Sequence, residues 1–162
     1  VKKIIVFGNS GSGKSTFAKH LATKNQLAHL DLDTLAWSPT KPPTRLPLEV
    51  SKQQINAFMN ENNAWVIEGC YSDLLALVSE PADTAIFLNL SIEQCIENAK
   101  NRPWEPHKYA TKAAQDENLS MLIDWIEQYA SRTDTFSLVA HQKLHDSFTG
   151  EKVLFTENQI LT

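Results

Sequence analysis

Eight consecutive residues, Gly8-Asn9-Ser10-Gly11-Ser12-Gly13-Lys14-Ser15, fit the pattern G-x-x-x-x-G-K-[ST]. Such an octet constrains its surroundings, because it works only between a β-strand and an α-helix. Both flanks comply. Ile4-Ile5-Val6-Phe7 is a β-rich apolar run, and after the octet Phe17, Leu21 and Ala22 recur at helical spacing with Ala18 beside them. Three of the five glycines, Gly8, Gly11 and Gly13, fall inside this short stretch.

The residue types match the chemistry of a phosphate site. Glycines let successive backbone N–H groups turn inward around phosphate oxygens, and the helix N-terminus adds its positive dipole end. Gly8, Asn9, Ser10, Gly11, Ser12 and Gly13 form the cradle. Lys14 reaches the β- and γ-phosphates and is a candidate catalytic residue; the Ser15 hydroxyl is a candidate Mg²⁺ ligand. Thr16 is placed to donate to the α-phosphate. ATP and Mg²⁺ are the expected cofactors, and no Asn-Lys-x-Asp motif of a GTPase occurs.

Composition narrows the setting. With 162 residues, 42% hydrophobic and 21% charged, the chain suits one globular domain over residues 1–162. No apolar run approaches the ~18–20 residues that span a bilayer, so no membrane partner is expected. The basic start is followed by only four apolar residues before Gly8, too few for a signal-peptide core, so a cytoplasmic location is expected. Cys70 and Cys95 are then expected to be reduced thiols. A net charge of −4 gives no electrostatic drive toward nucleic acid.

Along the rest of the chain apolar runs alternate with helical patterns, which predicts an α/β fold with a parallel sheet. Strands are expected at 3–7, 28–31, 64–68, 84–90 and 152–156. Helices are expected at 14–24, 49–60, 72–79, 91–101, 114–130 and 135–147. Two segments depart from this pattern. Residues 38–48 hold four of the seven prolines and predict a loop with little regular structure; residues 101–112 carry two prolines among cations and aromatics. Both read as functional flaps over the nucleotide site.

Acids stand at two predicted strand ends, where ligands bind in open α/β sheets. If the chain is still extended at Asp31-Leu32-Asp33, the two carboxylates share a face; otherwise one is exposed and the other caps a turn. Glu68 ends Ala64-Trp65-Val66-Ile67-Glu68 and is a candidate Mg²⁺ ligand, as is Asp31. The only arginines are Arg45, Arg102 and Arg132. Arg102 is a candidate for the charge that develops on the transferring phosphoryl group, and Lys108 and Arg132 for nucleotide contacts; solvated surface charge is the alternative for each. Trp37 and Trp104 stand in the two flaps. His141 and His145 have metal-binding spacing but no further ligand nearby, and read as surface residues of a helix. Cys70 has no identifiable base to make it a nucleophile.

These residues resemble P-loop small-molecule kinases of the adenylate kinase and shikimate kinase type. With Leu30-Asp31-Leu32-Asp33 and the block Arg102-Pro103-Trp104-Glu105-Pro106-His107-Lys108-Tyr109, the loop is also similar to bacterial proteins labelled adenylate-kinase-like, AAA-family ATPase or DNA topology modulation protein. The resemblance implies a P-loop NTPase fold, a three-layer α/β/α domain with a five-stranded parallel sheet of order 2-3-1-4-5. It also implies an acceptor-binding region at about 34–60 and a lid at about 102–112. Glu68-Gly69 matches the acid position on the third strand of adenylate kinases. Asp31 and Asp33 match the paired acids of shikimate kinases, of which the first helps hold Mg²⁺ and the second contacts the acceptor hydroxyl.

Departures are equally specific. The several arginines of adenylate kinases are missing, and Gly69-Cys70-Tyr71 stands where shikimate kinases have a glycine-rich acceptor loop. Asp31, Asp33, Trp37, Arg45 and Tyr71 are thus the candidate acceptor-binding residues, with Asp33 catalytic. The expected activity is transfer of phosphate from ATP to a small hydroxyl-bearing metabolite. The alternatives are a nucleoside monophosphate kinase and a nucleotide-dependent regulatory or DNA-topology-associated ATPase, the latter weakened by the net negative charge.

Overall fold

A strand that is apolar at every central position must be covered on both faces, and β1 (Lys3–Gly8) is such a strand. The computed structural model describes residues 2–40 and 42–161 and places β1 in the middle of a five-stranded sheet. The order is β2 (Ala28–Asp31), β3 (Trp65–Gly69), β1, β4 (Thr84–Leu88) and β5 (Glu151–Phe155), with every neighbouring pair parallel. This is the 2-3-1-4-5 order implied by the resemblance.

Side chains alternate across the sheet as a period of two requires. Ile5, Phe7, Trp65, Ile67, Ala85 and Phe87 face a core built by α2 (Asp33–Ala36), α3 (Leu48–Glu61), α4 (Ser72–Ser79) and α7 (Leu138–Ser147). Ile4, Val6, Val66, Ile86 and Leu88 face the opposite core, with α1 (Lys14–Asn25), α5 (Ile92–Lys100) and α6 (Lys112–Glu127). The register sets Val6 beside Glu68 and Asp31 beside Glu68. The carboxyl ends of β1, β2 and β3 therefore finish level, which brings the glycine-rich loop and two acids to one edge.

Helix starts follow local chemistry. Ser91, Thr111 and Ser137 accept hydrogen bonds from the N–H groups of Gln94, Ala114 and Ala140, capping α5, α6 and α7. The Thr111 cap starts α6 earlier than its apolar pattern indicates, and the Ser137 cap starts α7 later. Among the described residues no helix is long and apolar enough to cross a membrane.

Three expectations need correction. Asp31 and Asp33 do not lie on one extended strand: β2 ends at Asp31, Leu32 turns helical and is fully buried, and Asp33 opens α2. The anchor is Leu32, which core packing pulls inward. The proline-rich segment is more regular than its composition predicts. Ser38 N–H donates to Thr44 O (2.8 Å), Leu46 N–H donates to Ala36 O (2.9 Å), and Trp37 bridges Arg45 in a narrow antiparallel hairpin. Its described prolines fall outside those donor positions; Lys41 lies outside the described residues. His141 is no surface residue. It is fully buried against Phe7 and Phe87, held between Tyr129 and the carbonyl of Cys70.

Candidate active site

The loop between β1 and α1 turns on glycines where a side chain has no room or no allowed conformation. Gly11 has φ +77°, and a Cβ there would stand 2.3 Å from the Cys95 carbonyl oxygen. Gly13 adopts φ 86° at the N-cap of α1 and leaves that helix without a side-chain cap, so its first N–H groups stay open. The loop is anchored from outside. Asn9 Nδ2 donates to Ile126 O of α6 (3.2 Å), and Asn98 Nδ2 of α5 donates to Gly11 O (2.8 Å). Lys14 Nζ donates to Asn9 O (2.8 Å), folded over its own loop. The Ser12 hydroxyl is buried with no hydrogen-bond partner among the described residues.

Two cavities flank this loop. One, of about 450 Å³, is lined by Ser10, Gly11, Gly13, Lys14, Ser15 and Thr16 of the loop and helix start together with Asp33, Glu68, Arg102 and Lys108. The second, of about 400 Å³, shares Gly11, Gly13, Thr16 and Arg102 and continues to Phe17, Asn98, Asn101 and residues 157–159 and 161. Arg102 stands between the two, its Nη1 donating to Glu105 Oε1 (3.1 Å). The residues after β5 were missed by sequence reasoning. Asn98 and Asn158 exchange reciprocal amide hydrogen bonds (2.8 and 2.9 Å), tying that segment to the loop. Nothing in their local sequence signals it.

Glu68 is 1% exposed, with Oε2 3.1 Å from Nε2 of His29 on β2, a partner the sequence reading did not include. Burial and the charges of Glu68 and Asp33 push the Asp31 carboxyl above its ordinary value, against the pull of Lys108 and the Asp33 N–H. Acids crowded in this way favour a nearby cation. Among the described residues no group of three or more His, Cys, Asp or Glu is arranged to hold a metal. Mg²⁺ with a nucleotide needs only one or two carboxylates, since phosphate oxygens and water complete its octahedron. Ser15 and Glu68 line the same cavity, and Asp31 stands beside Glu68 in the sheet register.

Asp33 is the meeting point of side chains from distant segments. The Tyr71 hydroxyl donates to Asp33 Oδ1, Trp37 Nε1–H donates to the Tyr71 oxygen (2.7 Å), and Lys108 Nζ donates to Asp33 Oδ2 (3.0 Å). Burial opposes ionisation of Asp33, but Lys108 and the Tyr71 hydroxyl outweigh it and hold the carboxyl below its ordinary value. Burial likewise opposes the charge on Lys108, and Asp33 and Asp31 outweigh it, raising the ammonium. Lys108 therefore stands on the acids, also 3.8 Å from Asp31 and from Glu105.

Arg45 pairs with Asp73 (3.1 Å) and covers the Tyr71 ring at 4.9 Å. Arg132 lines neither cavity. It pairs with Asp134 (2.6 Å) and stacks on Trp125 at 3.6 Å, so the structure does not bring it to the phosphate loop. Burial pushes the Cys70 thiol up to about 12, which suits an inert thiol at the cavity wall.

The model of the family described as AAA domain matches residues 4–122, from β1 into α6. The chain belongs to this AAA domain family. No curated protein matches it. Among solved structures it is similar to an unliganded sugar kinase from Janibacter sp. HTCC2649, with 15% identity over 99% of this chain and 87% of that one (TM-score 0.55). It is similar to a gluconokinase from Sinorhizobium meliloti 1021, with 18% identity over 99% and 85% (TM-score 0.52). It is also similar to a shikimate kinase from Acinetobacter baumannii solved with shikimate, with 14% identity over 99% and 87% (TM-score 0.50). At these identities the likeness establishes the fold alone, and this AAA domain chain carries it through β5.

Proposed function

We propose that the chain is an ATP- and Mg²⁺-dependent phosphotransferase acting on a small hydroxyl-bearing acceptor. The observation that carries this is that Asp33 lines the same cavity as Lys14 and Ser15. The open N–H groups of the loop and Lys14 would hold the nucleotide phosphates, and the second cavity would take the rest of the nucleotide. Ser15, Glu68 and Asp31 would hold Mg²⁺, which when bound neutralises charge on the β- and γ-oxygens. Asp33 orients the acceptor hydroxyl and takes its proton as the oxygen attacks the γ-phosphorus and the bond to ADP breaks. Arg102 faces the charge that develops on the transferring group.

In this account residues 34–60 are the acceptor-binding part of the domain and 102–112 the lid. Carboxylates at the acceptor position repel a nucleoside monophosphate but suit a hydroxyl, and the compounds after which the similar kinases are named, shikimate and sugars, carry hydroxyls. The test is ADP release and product mass on a panel of shikimate, gluconate, neutral sugars and AMP. A phosphorylated hydroxyl compound is the expected result. Phosphorylation of AMP alone establishes the nucleotide kinase instead; no product, together with binding of supercoiled DNA at physiological salt, establishes the regulatory ATPase.

A further inference from the structure

We propose that Tyr71 is a positioning residue, directed by the Trp37 indole, that holds one oxygen of Asp33 and leaves the other for the acceptor. This rests on the assignment of Asp33 to the acceptor. The direction of the chain follows from donor chemistry. An indole nitrogen only donates, so at Trp37 Nε1–H (2.7 Å) the Tyr71 oxygen is the acceptor. The single Tyr71 proton is then committed to its other neighbour, Asp33 Oδ1.

The two oxygens of Asp33 consequently have different fates. Oδ1 is held from the core. Tyr71 is 2% exposed, and its ring is packed against Phe136 (5.3 Å) and under the Arg45 guanidinium (4.9 Å). Gly69 backs onto it so closely that a Cβ would stand 3.2 Å from Tyr71 Cδ1. Among the described residues Oδ2 is held only by Lys108, from the loop at 101–111. An acceptor hydroxyl therefore reaches Oδ2 by displacing Lys108, while Oδ1 keeps its partner and the carboxylate plane stays fixed. Asp33 opens a helix of only four residues, which by itself constrains its side chain little. The orientation comes instead from Tyr71, two residues beyond the end of the β3 strand.

Tyr71→Phe removes the hydroxyl and keeps the ring. In ¹⁵N–¹H spectra the Trp37 indole signal, assigned by its loss in Trp37→Phe, is expected to shift and exchange faster in Tyr71→Phe; an unmoved signal overturns the chain. With the acceptor that responds in the panel, Tyr71→Phe is expected to lower transfer kcat about 10- to 100-fold, the worth of one hydrogen bond to a charged group. In the double variant with Asp33→Asn the loss should equal that of Asp33→Asn alone, because Tyr71 acts through Asp33. Additive losses, as a merely structural Tyr71 would produce, overturn its positioning role while leaving Asp33 on the acceptor. Failure of the panel, or an Asp33→Asn variant without loss, overturns the acceptor assignment itself.

Discussion

The phosphate loop and the cluster around Asp33 meet at one cavity and are built by opposite means. The loop is made of backbone. Its shape comes from Gly11 and Gly13, and two helices brace it, α6 through the Ile126 carbonyl that accepts from Asn9 of the loop and α5 through Asn98, which donates to Gly11 O. The cluster around Asp33 is made of side chains that arrive from α2, the hairpin after it, the end of β3 and the loop before α6. Backbone geometry is encoded within a few consecutive residues and transfers between proteins intact. Side-chain constellations are assembled by the fold and change with single residues, so one fold serves many acceptors.

Removing the loop's cation is expected to break the comparison most severely. Lys14→Ala should weaken ATP binding and reduce turnover by ~10³-fold or more, the scale on which phosphoryl-transfer electrostatics operate. Calorimetric ATP binding and ADP release on the folded variant check this. Next comes the residue between the two cavities. Arg102→Ala should lower kcat by about 10²-fold with a smaller change in ATP affinity, because its charge meets one that develops in the transition state. Steady-state kinetics separate the two, and equal losses would place Arg102 in ground-state binding.

A third effect is smallest at neutral pH and lies in the core beneath the site. Burial lowers the His141 pKa from 6.5 to about 4, against the bond to Cys70 O that favours the charged form. The Cys70 carbonyl only accepts, so His141 Nε2 carries the proton and Nδ1 accepts from the Tyr129 hydroxyl (2.7 Å). Above pH ~6.5 both folded and unfolded states hold His141 neutral, and its contribution is complete. As pH falls toward 4 the unfolded state binds a proton that the folded state refuses, so stability falls by about 3 kcal/mol across that window. Denaturant titrations at stepped pH should show this slope, and His141→Gln should flatten it.

The same contrast explains what was legible in the sequence. Alternating β and α patterns located the five described strands; β1, β3 and β4 are buried on both faces and leave a near-continuous apolar signal, while the edge strands β2 and β5 are only partly buried. The octet and the strand-end acids Asp31 and Glu68 were visible because each depends on neighbours in sequence. Lys108 was placed on the nucleotide because a cation in a flap suits phosphate; its observed partner, Asp33, is 75 residues away. Arg132 stacks on Trp125 for the same kind of reason, a tertiary contact with no local trace. The bond of His29 to Glu68 and the Asn98–Asn158 pair were likewise invisible, since the pairing of β2 with β3 and the return of the chain after β5 create them. His141 misled because helical spacing does not say which face a helix buries.

The division of labour between the two regions is tested most directly by measuring ATP affinity and acceptor phosphorylation on one preparation of Asp33→Asn. The loop and the candidate Mg²⁺ ligands remain in place in this variant. ATP affinity is therefore expected to stay near that of the unaltered protein, while transfer falls by ~10²–10⁴-fold, the range for losing a general base or its orienting equivalent. If affinity and transfer fall together, Asp33 belongs to the nucleotide and metal site, and the separation of the two regions is contradicted.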